Sequence, residues 1–223
     1  MKELTTDSIN ELLGIEESYQ ASDKLMSILF NKEEREKLFR SFLNQNWDMT
    51  FDWFHIYFQA EHADKKKKKQ DFTPKSISNL LVKMSESDNK ITCGTRLDVA
   101  AGSGGLTIEK WNQDRISVPL FSYKPSKFLY QCEELSDRAL PFLLFNLAIR
   151  GMNAVVLHGD VITREFKQVY FIQNDSDDYM KFSNINILSH EKWLMEELDI
   201  RKWLEEPKQH IESHISEWMK GVM

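Results

Sequence analysis

The chain has 223 residues, 41% of them hydrophobic and 29% charged, which is enough for one globular domain with an appendage. Its formal net charge of −6 excludes a protein that binds nucleic acid through a basic overall field, so any DNA contact needs a local patch or a partner. No apolar run approaches ~20 residues and no signal peptide is recognisable, so we expect a cytoplasmic protein without membrane contact. Cys93 and Cys132 lack metal-ligand spacing, and we expect both to be buried free thiols.

Residues 1–63 predict a helical region. Thr5-Thr6-Asp7-Ser8 has the composition of a helix cap, and apolar residues recur at helical spacing within 25–30 and 32–43. The aromatic stretch at 47–58 suits either base stacking or core packing. Because such stretches usually bury themselves, we expect core packing.

Lys65 to Lys69 form the one strong basic run of the chain. The run suits contact with DNA phosphates or a solvated linker, and the sequence does not choose between the two. The segment Gln70-Asp71-Phe72-Thr73-Pro74 follows directly, and its Thr-Pro pair predicts the entry to a helix.

A glycine-rich turn organises the middle of the chain. The run Leu97-Asp98-Val99-Ala100-Ala101-Gly102-Ser103-Gly104-Gly105 predicts a strand, a turn without bulk and a helix start whose backbone N–H groups face a ligand. Asp98 would repel a phosphate, and no Lys-Ser/Thr pair follows the glycines, which argues against a nucleoside triphosphate or a dinucleotide. An acid at this position suits a ligand with an ammonium group, such as S-adenosylmethionine (SAM).

The segment 70–74 and the glycine-rich turn, in this order and about two dozen residues apart, resemble the adenine-specific DNA methyltransferases. The resemblance is to the modification subunit of type I restriction systems in particular. It implies that Phe72, Thr73 and Pro74 wrap the methionine end of SAM. The rest of this end of the cofactor site is then formed by Asp98, Ala100, Gly102, Ser103, Gly104 and Gly105.

Two further acids complete the predicted cofactor site. The strand 128–132 is followed by Glu133 and Glu134, and a carboxylate at that strand end can accept both ribose hydroxyls. The resemblance favours Glu134, which lies about a dozen residues before Asn146-Leu147, with Glu133 as the alternative. It also implies that Asp160, in His158-Gly159-Asp160, receives the adenine amino group of SAM.

The fourth predicted strand, 168–173, is where the resemblance breaks. Family enzymes carry Asn/Asp-Pro-Pro-Tyr/Phe after this strand, and the motif holds the amine of the flipped target base and stacks on its ring. Asn174 stands at the expected place, but both prolines are missing and Tyr179 is the nearest following aromatic residue. Asn174 is therefore the one catalytic candidate, in a degraded motif.

These elements predict an α/β, Rossmann-like class I SAM-dependent methyltransferase fold with a truncated, mostly parallel sheet of about five strands. We expect an N-terminal helical region at 1–63, a methyltransferase-like core at 64–190 and a C-terminal helical tail at 191–223, with the helix spanning His190–Lys220 around a break at Pro207. The tail either packs on its own sheet or binds a partner helix.

The predicted function is a SAM-binding, DNA adenine methyltransferase-like protein, of the size and pattern found in phages and prophages, that acts as a regulator, decoy or subunit. An active methyltransferase, alone or completed by a partner, is the first alternative. An interaction module with a vestigial pocket is the second. One expected partner is DNA, which the protein would contact through Lys65–Lys69 or through a partner protein. The other expected partner is a second copy of the chain or another restriction-modification subunit.

Overall fold

The computed structural model describes residues 4–55, 57, 77, 81, 93–119 and 121–213. Residues 63 and 64, where the first domain boundary is predicted, lie outside this part of the chain, and so do Phe72, Thr73, Pro74 and the lysine run 65–69. The predictions for these residues are therefore not addressed by the structure.

Three helices precede the sheet. They are α1 (Thr6–Leu13), α2 (Ala21–Leu29) and α3 (Lys32–Gln45). The predicted cap of α1 is confirmed, because Thr5 Oγ1 accepts a hydrogen bond from the Ser8 N–H and Ser8 Oγ accepts one from the Thr5 N–H. Asn31 caps α3 through the N–H of Glu34. Each cap satisfies N–H groups that have no acceptor inside the helix.

Six strands form one mixed sheet in the order β1-β2-β3-β4-β5, with β6 beside β4. The strands are β1 (Gly94–Val99), β2 (Phe128–Glu134), β3 (Ala154–Asp160), β4 (Glu165–Gln173), β5 (Asn184–Ile187) and β6 (Lys202–Trp203). The first three are parallel to one another, whereas β4 runs antiparallel to both β3 and β5. The predicted α/β fold with a mostly parallel sheet is confirmed.

Helices cover both faces of the sheet. On one face lie α4 (Gly105–Ile116) and α5 (Leu140–Ile149), and every residue of α5 is buried. A helix that is apolar on all sides belongs at the centre of a core. Here α5 shares one hydrophobic cluster with the three N-terminal helices. The opposite face packs against the short helix α6 (Lys192–Glu197).

Most of the described part of the aromatic stretch 47–58 belongs to this core, as predicted, whereas Trp47 is 72% exposed. Trp53, Phe54 and Tyr57 are buried, and the Phe54 ring contacts both Phe142 and Phe145 of α5. These contacts attach the segment after α3 to the central helix.

Two predictions about the chain are wrong. The tail is helical only in α6, and residues 198–213 instead form the strand β6 and irregular structure, because Trp203 and Leu204 follow the edge of β4. Residues 214–223 lie outside the described part. Cys132 is buried, but Cys93 precedes the edge strand β1 and is exposed. Within the described ranges, no helix is long and apolar enough to cross a membrane.

Candidate cofactor site

The carboxyl ends of β1, β2 and β3 meet at one edge of the sheet. The parallel register places Asp98 beside Cys132 and Glu134 beside His158, and Asp160 ends β3 two residues later. In α/β sheets, ligands bind at the carboxyl ends of parallel strands. Asp98, Glu134 and Asp160 are thus located at the expected edge.

The turn after β1 contains residues with positive φ angles, as its glycines predict. The φ angles of Gly102 and Gly104 are 60° and 94°, and Ala100 also adopts a left-handed conformation at 59°. The Gly104 N–H donates to the Ala101 carbonyl at 2.9 Å, and Gly104 begins α4 as its N-cap. A Cβ at Gly104 would lie 2.9 Å from Leu143 Cδ1, so the turn packs tightly on α5.

The carboxylate of Glu134 links this turn to the segment that follows β2. One oxygen accepts the Gly102 N–H at 2.6 Å, and the other accepts the Ser136 N–H at 2.7 Å. A carboxylate has about four lone-pair sites, so two remain for hydroxyl groups of a ligand.

The neighbouring Glu133 faces the other side of the sheet, since successive strand residues alternate. Its carboxylate accepts Arg164 Nη1 at 2.7 Å and Gln131 Nε2 at 3.0 Å. Glu133 contacts the turn only through its backbone carbonyl, which accepts the Ala101 N–H at 3.0 Å. Of the two acids that the sequence left in competition, Glu134 is the one whose carboxylate contacts the turn.

Asp98 bonds forward into α4. Its Oδ2 accepts the hydroxyl of Thr107 at 2.5 Å. Burial raises the pKa of Asp98, the hydrogen bonds from Thr107 oppose that shift, and the nearby negative charge of Glu134 adds a smaller increase. Sequence reasoning missed Thr107. Its place in the first turn of the predicted helix, after a strand-end acid, was a usable signal.

Ser103 differs from its predicted role. Its side chain is buried and its hydroxyl donates to Asp52 Oδ2 at 2.5 Å, pointing into the core. The residue therefore offers a ligand at most its backbone. Asp52 lies 51 positions earlier in the chain, and no local pattern links the two residues.

Asp160 closes the turn between β3 and β4. Its Oδ1 accepts the N–H of Ile162 at 2.8 Å. Two apolar side chains at this edge are open to solvent, Leu135 with 60% and Ile162 with 84% exposure. They are apolar surfaces against which the base of a nucleoside could pack, and the sequence analysis did not single them out.

Asn174, the catalytic candidate, lies at the opposite edge of the sheet. Because β4 is antiparallel to β3, its carboxyl end pairs with the start of β3, where Ile172 is opposite Ala154. The side-chain amide of Asn174 donates to the carbonyls of Gly151 and Asp178. The catalytic candidate Asn174 is thus not brought together with Asp98, Glu134 and Asp160, and its side chain holds the loop that follows β4.

No group of three or more His, Cys, Asp or Glu side chains in the described ranges is arranged to bind a metal ion. The chemistry available at the edge is that of carboxylates, backbone N–H groups and apolar side chains. Such groups can bind the hydroxyl, ammonium and carboxylate groups of a small ligand.

The parallel strands β1 to β3, the glycine turn and the strand-end acids define a Rossmann-like, methyltransferase-type domain. A family model for N-6 DNA Methylase matches residues 49–180, which is more than half of the chain, and the protein therefore belongs to the N-6 DNA methylase family. This confirms the resemblance to adenine DNA methyltransferases. A comparison with curated proteins finds no match.

Proposed function

We propose that this N-6 DNA methylase family member binds SAM at the glycine turn and, as a single chain, does not transfer the methyl group. It then acts as a regulator, decoy or subunit of a DNA modification system, in keeping with a phage or prophage origin. The observation that carries the proposal is the separation of two sets of residues. Asp98 and Glu134 lie at the carboxyl ends of β1 and β2, where they bond to α4 and to the glycine turn, whereas Asn174 lies at the other end of these strands.

Each acid has a distinct part in this proposal. Asp98 holds the ammonium group of SAM, Glu134 accepts the ribose hydroxyls, and Asp160 receives the adenine amino group. The N–H groups in the first turn of α4 face the amino-acid end of the cofactor, because they have no acceptors within the helix. Leu135 and Ile162 cover the faces of the adenine ring. Phe72, Thr73 and Pro74 contribute as the family resemblance implies.

SAM supplies an electrophilic methyl group on its sulfonium. A family enzyme uses this group on an adenine amine that its Asn/Asp-Pro-Pro-aromatic motif holds in place. The five prolines of this chain are all isolated in sequence, and the asparagine after β4 is bound to backbone carbonyls. These two facts support the loss of the part of the site that would hold the target base.

Calorimetry with SAM tests the first half of the proposal. We expect binding by the wild-type chain and a weakening of at least about 10-fold in Asp98→Ala and in Glu134→Ala, because each loses a charge-assisted hydrogen bond. Glu133→Gln is the matched control: this adjacent acid faces Arg164, so its loss should lower the melting temperature and leave the SAM dissociation constant within about 2-fold. Near-wild-type affinity in both alanine variants would place the site elsewhere.

A tritiated-methyl transfer assay on unmethylated DNA tests the second half. We expect no incorporation with the purified chain. Family membership favours the alternative of an active methyltransferase, and incorporation by the chain alone would establish it. Incorporation only after a cellular partner is added would identify a subunit completed in trans. A chain that binds no SAM in calorimetry would be an interaction module with a vestigial pocket.

A further inference from the structure

A buried carboxylate from the N-terminal part of the chain supports the glycine turn from inside the core. Asp52 precedes Trp53 and is 8% exposed. Its Oδ2 accepts the Ser103 hydroxyl at 2.5 Å, and its Oδ1 accepts the Phe54 N–H at 2.9 Å. Hydrogen bonds to an ionised carboxylate are about twice as strong as those between neutral groups.

Asn146 of α5 provides a second connection between Asp52 and the glycine turn. Its amide nitrogen donates to Asp52 Oδ1 and to the Ser103 carbonyl, both at 2.8 Å. Its amide oxygen accepts Arg150 Nη1 at 2.9 Å. Rotating the amide by 180° would put oxygen against two acceptors and nitrogen against a guanidinium, so only one orientation satisfies all three bonds.

Arg150 balances the buried charge of Asp52. Its guanidinium donates to the carbonyls of Met49 and Phe51, and it lies 5.3 Å from the centre of the Trp53 ring. Burial lowers the pKa of Arg150 to about 9, with Asp52 and Asp48 opposing the shift, so the side chain stays charged at neutral pH. The segment 49–54, α5 and the glycine turn are thereby joined by one buried network of paired polar groups.

We propose that Asp52 is a positioning residue for the cofactor site: through Ser103 and Asn146 it sets the conformation of the glycine turn. This inference rests on the proposed binding of SAM at that turn. Ser103 lies between Gly102, whose N–H meets Glu134, and Gly104, which caps α4. Two bonds hold Ser103. The bond at its hydroxyl fixes the side chain, and the bond at its carbonyl fixes the peptide plane between Ser103 and Gly104.

The consequence for binding follows from preorganisation. Gly102 and Gly104 flank Ser103, and both have positive φ angles. Because glycine has no Cβ, these two residues can readily adopt other backbone conformations. Without the two bonds, the turn would sample conformations in which its N–H groups point away from the cofactor. Binding would then require the turn to be ordered again, which lowers affinity without the loss of any direct contact.

The first test uses Asp52→Asn, which keeps the size of the side chain and the Oδ1 acceptor. It replaces the acceptor of the Ser103 hydroxyl by an amide nitrogen and removes the charge opposite Arg150. We expect the SAM dissociation constant to rise by about 10-fold or more. Glu212→Gln is the control, because it breaks another buried ion pair, with Arg35, that does not contact the turn. It should lower the melting temperature and leave SAM affinity within about 2-fold of wild type.

Amide hydrogen exchange of the peptide containing residues 99–106 gives a readout without SAM. The N–H groups of Gly102 and Gly104 are protected by Glu134 and Ala101. In Asp52→Asn we expect this peptide to exchange about 10-fold faster, with slower peptides from β3 unchanged, because only the local opening equilibrium shifts. In Glu212→Gln the peptide should exchange at the wild-type rate.

Ser103→Ala provides a milder variant and a double-mutant cycle. If Asp52 acts through Ser103, adding Asp52→Asn to Ser103→Ala should weaken SAM binding by clearly less than it does in the wild type. Unchanged exchange at 99–106 in Asp52→Asn would overturn the positioning role, as would fully additive effects. If the wild type binds no SAM, the proposed function fails, and the exchange experiment alone decides whether Asp52 orders the turn.

Discussion

Two adjacent glutamates at the tip of β2 have opposite surroundings. Glu134 accepts N–H groups from Gly102 and Ser136, whereas Glu133 accepts Arg164 from the other face of the sheet. Both side chains are buried and each carboxylate accepts two hydrogen bonds, so neither burial nor residue type distinguishes them. The alternation of side chains along the strand does so, and it assigns only one of them to the turn.

The glycines of the turn also have different requirements. Gly104→Ala should lower the free energy of unfolding by about 1–3 kcal/mol, because a residue with a Cβ is strained at a φ of 94°. Gly105 lies in the first turn of α4 with open space around it, so Gly105→Ala should leave stability equal or raise it by up to about 1 kcal/mol. Urea denaturation of the two variants measures both effects.

The same pair of variants separates folding from binding. Since a Cβ at Gly105 would occupy the space that a ligand needs next to the backbone, Gly105→Ala should bind SAM more weakly although it is no less stable. Equal affinity in Gly105→Ala and wild type would show that the cofactor does not approach the backbone at this position.

Among the secondary-structure elements, the direction of β4 decides which groups lie at the same end of the strands. The turn at residues 161–164 returns the chain antiparallel beside β3, and Arg164 adopts a left-handed φ of 60° there. From this position its guanidinium reaches Glu133 on β2 and the carbonyl of Leu198 at the end of α6. The hairpin is thus tied to the sheet and to the tail, and the end of β4 is held away from the glycine turn.

A substitution at the end of β4 tests this topology. Asn174→Ala leaves the carbonyls of Gly151 and Asp178 without their donor, so we expect the free energy of unfolding to fall by about 1–3 kcal/mol. SAM affinity should remain within about 2-fold of wild type, because the residue lies at the opposite edge. A loss of SAM binding without a loss of stability would contradict the antiparallel arrangement.

For the whole molecule, the tail links the sheet to the N-terminal helices. Glu212 pairs with Arg35 of α3 through two bonds of 2.7 and 2.6 Å, and it accepts the N–H of Ile185 on β5. Burial alone would raise the pKa of Glu212, but Arg35, His210 and the Ile185 N–H outweigh it and lower the pKa below its ordinary value. This contribution to stability is present above pH ~4.5 and is lost as the pH falls through the lowered pKa.

His158 makes stability depend on pH in a higher range. Burial lowers its pKa to about 4, Lys167 and Lys208 act in the same direction, and Asp137 and Glu205 oppose them. Between the unfolded value of 6.5 and about 4, the unfolded chain binds a proton that the folded chain does not. Unfolding should therefore become easier by up to roughly 3 kcal/mol as the pH falls through this range.

Denaturant unfolding at pH 7.5 and pH 4.5 measures this effect. His158→Gln should remove most of the difference between the two pH values. His190→Gln is the matched comparison: burial also lowers the pKa of His190, but that side chain is less buried, so its removal should change the difference less. A pH dependence that persists in His158→Gln would assign the effect to other groups.

The parts of the protein that could be predicted from its sequence are those whose signals are local. Residues close together in the chain predict the cap at Thr5, the glycine-rich turn and the acids at the ends of β1, β2 and β3. They also predict the family. Periodicity, turn chemistry and strand-end acids act within about a dozen residues, and this is the range over which a pattern constrains structure.

Three features required the folded structure: the direction of β4, which of the Glu133 and Glu134 carboxylates contacts the turn, and the bond between Asp52 and Ser103. A strand of the same composition fits a sheet in either direction, and what selects one is the packing of both faces and the length of the connection. Asp52 and Ser103 are 51 residues apart and Asp52 and Asn146 are 94 apart. Bonds over such separations depend on how the helices pack on the sheet, and local sequence patterns do not predict that packing.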